Sequence, residues 1–286
     1  MSYYVPEKIT PDIVWNNIPI RDPFSHKGTY GSVLALCGCE AYRGAAALCA
    51  LGALRSGAGL VTVAAPEAVI SSIASRILEA TFLPLPDDAA LNDAIRRSTV
   101  CAVGCGKKAD DQTAEEIHRV LSLSAGTIVL DAGALTCMAG HLTELRNSCA
   151  GQLILTPHPG EAARLAGSSV RDITDAPQKS ALQLAALSGA VVVLKLHHTL
   201  IATPEGELYE NHTGNAGLAR GGSGDILTGI ISGLAAQGLS PLRAALCGVW
   251  LHGASADRCA ARLSMQAMLP SDILTDLSQL FQENGR

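Results

Sequence analysis

The residues best suited to chemistry in this chain form a glycine-rich segment, GNAGLARGGSG at 214–224, followed directly by Asp225. The next run, ILTGIISGLAAQ, is apolar on nearly every side, which predicts a helix buried in the core. A loop of small residues leading into such a helix exposes unpaired N–H groups at the positive end of the helix dipole, where anions such as phosphate bind. We therefore assign Gly222, Ser223 and Gly224, at the end of this loop, to phosphate binding.

Asp225 falls in the first turn of the predicted helix, where the dipole favours the ionised carboxylate. A carboxylate beside a bound phosphate can act as a general base, taking a proton from a hydroxyl group while the anion site holds the phosphoryl group being transferred. This is the minimum apparatus for phosphoryl transfer. The alternative interpretation is structural: Asp225 is only a favourable charge at a helix N-terminus, and the glycines only form a tight turn.

The segment GCGKKA at 104–109 follows a predicted strand and satisfies G-x-G-x-x-[G/A], the fingerprint of dinucleotide-binding folds. A further predicted strand ends in Asp131, where such a fold places the acid that holds the ribose; Asp131 could equally cap the segment after it. However, Asp110 and Asp111 at the start of the intervening helix would repel a pyrophosphate, so a dehydrogenase is the weaker reading. We interpret 104–109 as a close-approach loop at the carboxyl end of a strand.

His158 lies between two prolines in TPHPGE at 156–161, after another predicted strand. The prolines fix the backbone and direct the imidazole out of the loop. A rigid loop at the carboxyl end of a strand is where open α/β sheets bind ligands, although a histidine satisfied within its own loop is the alternative. No second His or Cys lies at ligand spacing, so we do not expect His158 to bind a metal.

Lys195 ends a predicted strand and opens the segment KLHHT at 195–199. Its ammonium group could meet nucleotide phosphates as a point charge, or could extend past the strand end to solvent. His197 and His198 are adjacent and cannot both face one metal, so we interpret them as loop residues. The chain has no G-x-x-x-x-G-K-[ST] motif, which excludes a P-loop kinase, and no pattern in it identifies metal ligands.

Apolar strands and helical segments alternate along the chain, and the strands are continuously apolar, which is typical of a parallel sheet covered on both faces. The predicted strands are 32–36, 60–64, 99–103, 127–130, 153–155 and 190–194, the predicted helices are 44–55, 112–122, 160–166, 177–188, 224–237, 241–262 and 271–282, and a hairpin covers 201–210. This pattern predicts an α/β fold, a three-layer α/β/α sandwich with a mostly parallel central sheet. No linker or repeat divides it, so we expect one domain over 1–286, with 1–25 as an N-terminal extension.

The composition excludes several classes of protein. A net charge of −5 and a pI near 5.9 argue against a nucleic-acid partner. The N-terminus has no basic and apolar leader, and the most apolar stretch, 45–65, is interrupted by Arg55 and three glycines, so neither a signal peptide nor a membrane span is expected. The nine cysteines include no CxxC pair and mostly have apolar neighbours, which indicates reduced thiols and a cytoplasmic chain. Half of the 28 glycines lie in two zones, 28–59 and 214–233.

Five blocks together resemble the ADP/ATP-dependent NAD(P)H-hydrate dehydratase family: HKGTYGSVLALCG, YRGAAALCALGALRSGAGLVTVA, VLDAGAL, LTPHPGEAARL and GNAGLARGGSGDILTGIISGLAAQG. The resemblance runs from about His26 to about Asp257 and implies a ribokinase-like fold and metabolite repair. The implied substrate is the S epimer of hydrated NADH or NADPH (NADHX or NADPHX). The implied enzyme is a hydro-lyase that phosphorylates the ring hydroxyl and then eliminates phosphate, with ADP or ATP as co-substrate and Mg²⁺ as cofactor.

The resemblance also implies roles for individual residues. Asp225 matches the catalytic base and contacts the hydrate, and the other implied hydrate-binding residues are Ala45, Gly106 and His158. Besides Gly224, the implied nucleotide-binding residues are Lys195, Leu196, His197, His198 and Thr199. Two segments depart from the family pattern. Cys105-Gly106-Lys107 replaces P-G-L and brings in a positive charge, and Leu196 replaces a glycine, although leucine tolerates positive φ poorly.

Further expectations concern partners. The resemblance implies a homo-oligomer, for example a tetramer, and an epimerase on a separate chain, since only about 25 residues precede His26. The choices between ADP and ATP and between NADH and NADPH, and the Mg²⁺ ligands, stay open. The alternatives are a ribokinase-like kinase of a small alcohol or vitamin precursor, which would leave a stable phosphorylated product, and a non-catalytic adenine-nucleotide sensor.

Overall fold

The computed structural model describes residues 5–148 and 152–286, and in these residues ten strands form one sheet covered by helices on both faces. The strands are β1 (Glu7–Lys8), β2 (Ser32–Leu36), β3 (Leu60–Pro66), β4 (Thr81–Leu85), β5 (Val100–Val103), β6 (Thr127–Leu130), β7 (Leu153–Leu155), β8 (Val191–Leu194), β9 (Thr199–Ala202) and β10 (Leu208–Asn211). Their order is β1-β10-β9-β8-β7-β6-β5-β2-β3-β4. Neighbours are parallel except β9, which runs antiparallel to β8 and β10. The predicted mostly parallel α/β sandwich is confirmed.

The helices agree with the prediction where they are long. They are α1 (Pro11–Asn17), α2 (Arg43–Arg55), α3 (Glu67–Ile73), α4 (Asp88–Arg97), α5 (Asp111–Leu123), α6 (Ala132–Cys137), α7 (Leu142–Ser148), α8 (Pro159–Ala166), α9 (Val170–Asp175), α10 (Pro177–Ser188), α11 (Ser223–Ala236), α12 (Pro241–Leu263) and α13 (Ile273–Glu283). The sequence did not predict α1, α3, α4, α6, α7 or α9. Each has ten residues or fewer, so its apolar periodicity covers at most about three turns.

Two edge strands also escaped prediction. β1 has two exposed residues, and β4 (TFLPL) contains a proline and is partly exposed along its length. Edge strands need pairing on one side only, so they tolerate proline and lack the apolar run that marks a central strand.

The central strands are apolar throughout because each face packs against a different helical layer. In β2, Val33 and Ala35 join the core that contains α2, α11 and α12, whereas Leu34 and Leu36 join the core that contains α4 and α5. Successive side chains on a strand point to opposite faces, so two covered faces require every position to be apolar.

Helices α2 and α11 approach closely because glycines lie at their contact. A Cβ built on Gly229 would lie 2.1 Å from the carbonyl oxygen of Cys49, and one on Gly52 would lie 2.6 Å from that of Ile226. Gly233 meets Ala53 and Ser56 in the same way. The two glycine zones of the sequence therefore meet, and their contact fixes the position of α11.

The chain reverses its direction across the sheet between β2 and β5. After β2 it adds β3 and β4 on one side, then returns to place β5 on the other side of β2. The loops after β2 and β5 meet at this point, where the N–H of Gly38 donates to the carbonyl oxygen of Cys105 at 2.7 Å. In open α/β sheets such a switch point is where ligands bind.

The close contact between α2 and α11 predicts that one added methyl group strongly lowers the stability of the protein. Gly229→Ala should lower the free energy of unfolding by about 1–3 kcal/mol or more, because its Cβ would overlap backbone. Gly44→Ala is the matched control in α2: no atom lies within 4 Å of its Cβ, so this change should stabilise the protein by about 0.5–1 kcal/mol. Urea unfolding measures both, and equal stability of the two variants would contradict the argument.

Candidate active site

One cavity of about 640 Å³ opens at the carboxyl ends of β6, β7 and β8. Asp131 follows β6, His158 follows β7 and Lys195 follows β8, and all three line the cavity together with the glycine-rich segment and the first turn of α11. Parallel strands end at the same edge of a sheet, so residues far apart in sequence meet here. The cavity brings together the two segments that the sequence assigned to phosphate and nucleotide binding.

A buried ion pair forms the floor of this cavity. The Nζ of Lys195 donates to Oδ1 of Asp131 at 2.9 Å and lies 3.8 Å from Oε2 of Glu161, while the hydroxyl of Thr228 donates to Oδ2 of Asp131 at 3.0 Å. Burial raises the pKa of Asp131, but the charge of Lys195 together with hydrogen bonds from Lys195, Thr156 and Thr228 outweighs burial and holds the pKa below its usual value. Lys195 therefore does not extend to solvent; it is a fixed cation that faces the cavity.

Asp225 lies close to this pair, at the third position of α11. Burial, and then the negative charge of Asp131, raise the pKa of Asp225 to about 6. The expectation that the helix dipole favours its ionised form is therefore corrected: burial and a neighbouring charge act in the opposite direction and prevail. Two neighbouring carboxyl groups with pKa values moved in opposite directions are typical of an acid–base site.

The glycine-rich segment lets ligands approach the start of α11. Gly222 is the N-cap with φ of 101°, a conformation that favours glycine. A Cβ on Gly224 would lie 3.3 Å from Nζ of Lys195, so the hydrogen of this glycine leaves the lysine open to the cavity. No atom lies within 4 Å of a Cβ placed on Gly221. The predicted phosphate-binding residues Gly222, Ser223 and Gly224 thus share the cavity with a fixed positive charge.

His158 has a structural role as well as a place in the cavity. It is the N-cap of α8: its Nδ1 accepts from the N–H groups of Gly160 (3.0 Å) and Glu161 (3.4 Å), and its own N–H donates to Oε2 of Glu161 at 2.8 Å. Its side chain remains half exposed. Nδ1 is occupied by the cap, and Nε2 lies 3.4 Å from Oε1 of Glu161.

Ala45 and Gly106 lie together, but outside the lining of this cavity. A Cβ built on Gly106 would lie 2.5 Å from the Cβ of Ala45 and 2.7 Å from the carbonyl oxygen of Tyr42, and the φ of Gly106 is +67°. This contact lies at the switch point between β2 and β5. Of the predicted hydrate-binding residues, Ala45 and Gly106 therefore contact each other, whereas His158 lies in the cavity lining.

The two departures from the family pattern have local explanations. Leu196 lines the cavity without positive φ; in the described chain, the non-glycine residues with positive φ are Ala132 and Ser264. The expected strain at Leu196 is therefore corrected. Lys107 forms a buried ion pair with Glu116, so it brings no free positive charge to the loop.

The segment 195–199 divides between two environments. Lys195, Leu196, His197 and Thr199 line the cavity, whereas the ring of His198 stacks between those of His197 and His212, with centroids 4.5 and 4.2 Å apart. The sequence interpretation of His197 and His198 as simple loop residues did not anticipate this stack.

His252 is a cavity residue that sequence reasoning missed. It lies on α12, and burial lowers the pKa of its imidazole to about 4. Within the described residues, its Nε2 and the hydroxyl of Ser223 are buried polar atoms with no hydrogen-bond partner, and both residues line the cavity. Buried polar groups normally have partners. The sequence signal that could have identified His252 is its position as the one histidine among the apolar residues of GVWLHGA.

Three thiols lie beneath the loop after β5. Cys37, Cys49 and Cys105 are fully buried, with their sulfur atoms within 4.8 Å of one another, and Cys105 also neighbours Asp131 and Asp225. The predicted apolar surroundings of Cys49 agree with its burial.

No helix in residues 5–148 and 152–286 has the length and hydropathy needed to cross a bilayer.

A family model described as NAD(P)H-hydrate dehydratase matches residues 33–279. The chain is 37% identical over 280 residues to the ADP-dependent (S)-NAD(P)H-hydrate dehydratase of Bacillus subtilis, covering 96% of this chain and 98% of that relative. It is also 40% identical over 269 residues to the bifunctional NAD(P)H-hydrate repair enzyme Nnr of Moorella thermoacetica, covering 91% of this chain and 51% of that enzyme. The chain thus spans about half the length of such bifunctional relatives.

Solved structures resemble this one over nearly its full length. The ADP/ATP-dependent NAD(P)H-hydrate dehydratase of Bacillus subtilis, co-crystallised with ATP/Mg²⁺, superposes with a TM-score of 0.86 at 33% identity, covering 99% of this chain and 100% of that one. A ribokinase-like superfamily protein from Enterococcus faecalis gives 0.88 at 27% identity, covering 99% of each chain. These similarities confirm the predicted ribokinase-like fold.

The raised pKa of Asp225 predicts a pH-dependent gain in stability on substitution. In the unfolded chain an aspartate ionises near pH 4, but in the folded protein Asp225 ionises near pH 6, so folding favours its protonated form and the charge destabilises the protein above pH 6. Asp225→Asn should raise the free energy of unfolding by up to about 3 kcal/mol at pH 8 and leave it unchanged at pH 4.

Denaturant unfolding at both pH values measures this difference. Asp111→Asn is the matched control, since Asp111 is an exposed acid in the first turn of α5 and should give no gain at pH 8. A gain of equal size at both pH values would contradict the argument.

Proposed function

This chain belongs to the NAD(P)H-hydrate dehydratase family, and on that premise we propose that it is a hydro-lyase that restores NADH or NADPH from the S epimer of its hydrate, using ADP. The observation that carries the proposal is the pair of carboxyl groups at the cavity floor. Asp131 stays ionised beside Lys195, and Asp225, with a pKa of about 6, is poised to exchange a proton near neutral pH.

The first step is phosphoryl transfer to the hydroxyl of the hydrated ring. Asp225 accepts the hydroxyl proton as the ring oxygen attacks the terminal phosphorus of ADP, and AMP leaves. The Lys195 ammonium and the first turn of α11 stabilise the negative charge on the transferring group, because both are already oriented before the reaction.

The second step is elimination. The carbon–oxygen bond breaks, phosphate leaves with the bonding electron pair, and loss of a proton from the adjacent ring carbon forms the double bond of the reduced nicotinamide. Phosphate is a better leaving group than hydroxide, which is why a dehydration can consume a phosphoryl donor.

Nucleotide and hydrate would occupy different parts of the carboxyl edge. Lys195, Leu196, His197, His198 and Thr199, with Gly222, Ser223 and Gly224, form the proposed nucleotide side. For the hydrate we propose Ala45 and Gly106 at the switch point and, apart from them in the cavity lining, His158. The switch point adjoins Asp225, since the sulfur of Cys105, the residue before Gly106, lies within 4.8 Å of the Asp225 carboxylate.

Mg²⁺ fits this site chiefly as part of the nucleotide complex. Both oxygens of Asp131 already accept hydrogen bonds, and Glu161 is held by His158, which leaves Asp225 as the nearest available carboxylate. Such a donor set suits an ion that keeps several waters and binds mainly through phosphate oxygens, where it would screen their charge.

A cytoplasmic location, a homo-oligomer and an epimerase on a separate chain remain predictions.

The chemistry is tested with hydrated NADH and ADP, following phosphate release and the absorbance of the reduced nicotinamide together. Both signals should rise in equal amounts. Asp225→Asn should lower kcat by about 10²–10⁴-fold, because the general base is lost, while Asp111→Asn should retain full activity. For the wild type, kcat/KM should rise with pH and reach half its maximum near pH 6.

Two outcomes would contradict the proposal. A stable phosphorylated product without phosphate release would indicate a kinase of the same fold. Binding of ADP with no turnover of the hydrate would indicate a nucleotide sensor.

The nucleotide side is tested separately by two glycine substitutions in the glycine-rich segment. Gly224→Ala places a methyl group against the Lys195 ammonium and should raise the KM for ADP by about tenfold or more, a loss of about 1.4 kcal/mol. Gly221→Ala meets no atom within 4 Å and should leave the KM near its wild-type value. Equal effects of the two substitutions, in steady-state kinetics with ADP varied, would contradict the assignment of Gly224.

A further inference from the structure

Two histidines and a glutamate meet at the open end of the β9–β10 hairpin. One of them, His198, belongs to the proposed nucleotide side, but no step of the proposed reaction uses any of the three side chains. His198 precedes β9, Glu210 lies in β10 and His212 follows β10. Their potential ligand atoms all lie within 4.8 Å of one another. We call these three residues the hairpin-end cluster.

The antiparallel register of the hairpin builds this cluster. Thr199 pairs with Asn211, so one step further along the ladder His198 stands opposite His212. His212 directly follows β10, two residues after Glu210, and residues at this spacing along an extended strand share a face. The adjacent pair His197-His198 therefore does not form the cluster; His198 joins residues of the partner strand.

Both imidazoles of the cluster direct a nitrogen to the same carboxylate. Nε2 of His212 lies 2.8 Å from Oε2 of Glu210, and Nδ1 of His198 lies 3.9 Å from Oε1. Ligand atoms around a tetrahedral zinc ion lie roughly 3.3 Å apart, since zinc binds nitrogen and carboxylate oxygen at about 2.0–2.1 Å. The two observed separations lie on either side of this value. The rings of His198 and His212 stack at an interplanar angle of 17°, so one ring must turn out of the stack for both nitrogens to face one ion.

We propose that the hairpin-end cluster binds a divalent transition-metal ion of the Zn²⁺ or Co²⁺ type through His198, Glu210 and His212. Imidazole nitrogen suits these ions, whereas Mg²⁺ takes oxygen ligands, so this site is distinct from any Mg²⁺ that accompanies the nucleotide. The three side chains are between 27% and 40% exposed, which gives an ion access from solvent and leaves a coordination position for water.

The position of the cluster gives the ion a structural consequence. His197, Thr199 and Asn211 line the cavity next to the cluster. An ion held by both sides of the hairpin would link the start of β9 to the end of β10, and so would stiffen this wall of the cavity. His197, which stacks on His198, would stay outside the coordination shell.

Co²⁺ titration of the purified full chain tests the proposal, because the visible absorption of Co²⁺ reports its ligands and geometry. One Co²⁺ should bind per chain with a tetrahedral nitrogen and oxygen spectrum, and Zn²⁺ should displace it. His198→Ala, His212→Ala and Glu210→Gln should each weaken Co²⁺ binding by at least about tenfold. His141→Ala is the matched control, since Nδ1 of His141 lies 2.8 Å from Oε1 of Glu144 on the exposed surface, but within the described residues this pair belongs to no cluster of three metal-ligating side chains.

Three results would overturn the proposal. Co²⁺ binding that survives in both His198→Ala and His212→Ala would exclude the cluster as the site. Intense sulfur-to-cobalt charge-transfer bands would assign the ion to Cys37, Cys49 and Cys105 instead. Absence of saturable binding to the wild type would exclude a site altogether; Glu210→Gln, which keeps both rings, separates loss of a ligand from loss of the ring stack.

Discussion

The close contact between α2 and α11 is the constraint on which the site depends. Gly52, Gly229 and Gly233 remove the side chains that would hold these helices apart, and backbone of one helix then packs on backbone of the other. The remaining residues of α11 are buried on nearly every side, so the helix has no freedom to shift. Its N-terminus is therefore held at the carboxyl edge of the sheet, next to the ends of β5, β6 and β8.

With α11 held in place, two carboxyl groups acquire different chemistry from their surroundings alone. Asp131 has a lysine and a threonine as partners and remains charged in spite of burial. Asp225 is largely buried, faces the charge of Asp131 and has a pKa of about 6. The same residue type thus supplies a fixed charge at one position and an exchangeable proton at the other, which the base that we propose for phosphoryl transfer requires.

The carboxyl edge of the sheet also contains three regions whose surfaces differ in charge, side-chain size and ring content. The cavity beside Lys195 offers fixed positive charge and open glycine backbone, which suit phosphates. The switch point offers small residues and close backbone contacts. The hairpin wall offers imidazoles in place of the larger aromatic residues that this chain mostly lacks.

Local pattern was sufficient to predict the sandwich, its central strands and its long helices, because burial on both faces demands continuous apolar runs that can be read from the sequence. It was also sufficient for the glycine-rich segment and for Asp225 as a candidate base. Tertiary structure decided the rest: that the two glycine zones meet, that burial raises the pKa of Asp225, that Lys195 pairs with Asp131, and that His198 stacks on His212 as well as on its neighbour His197. Each of these depends on a contact between residues many positions apart. Sequence spacing carries no information on the distance or the charge of such a partner until the sheet brings the two together.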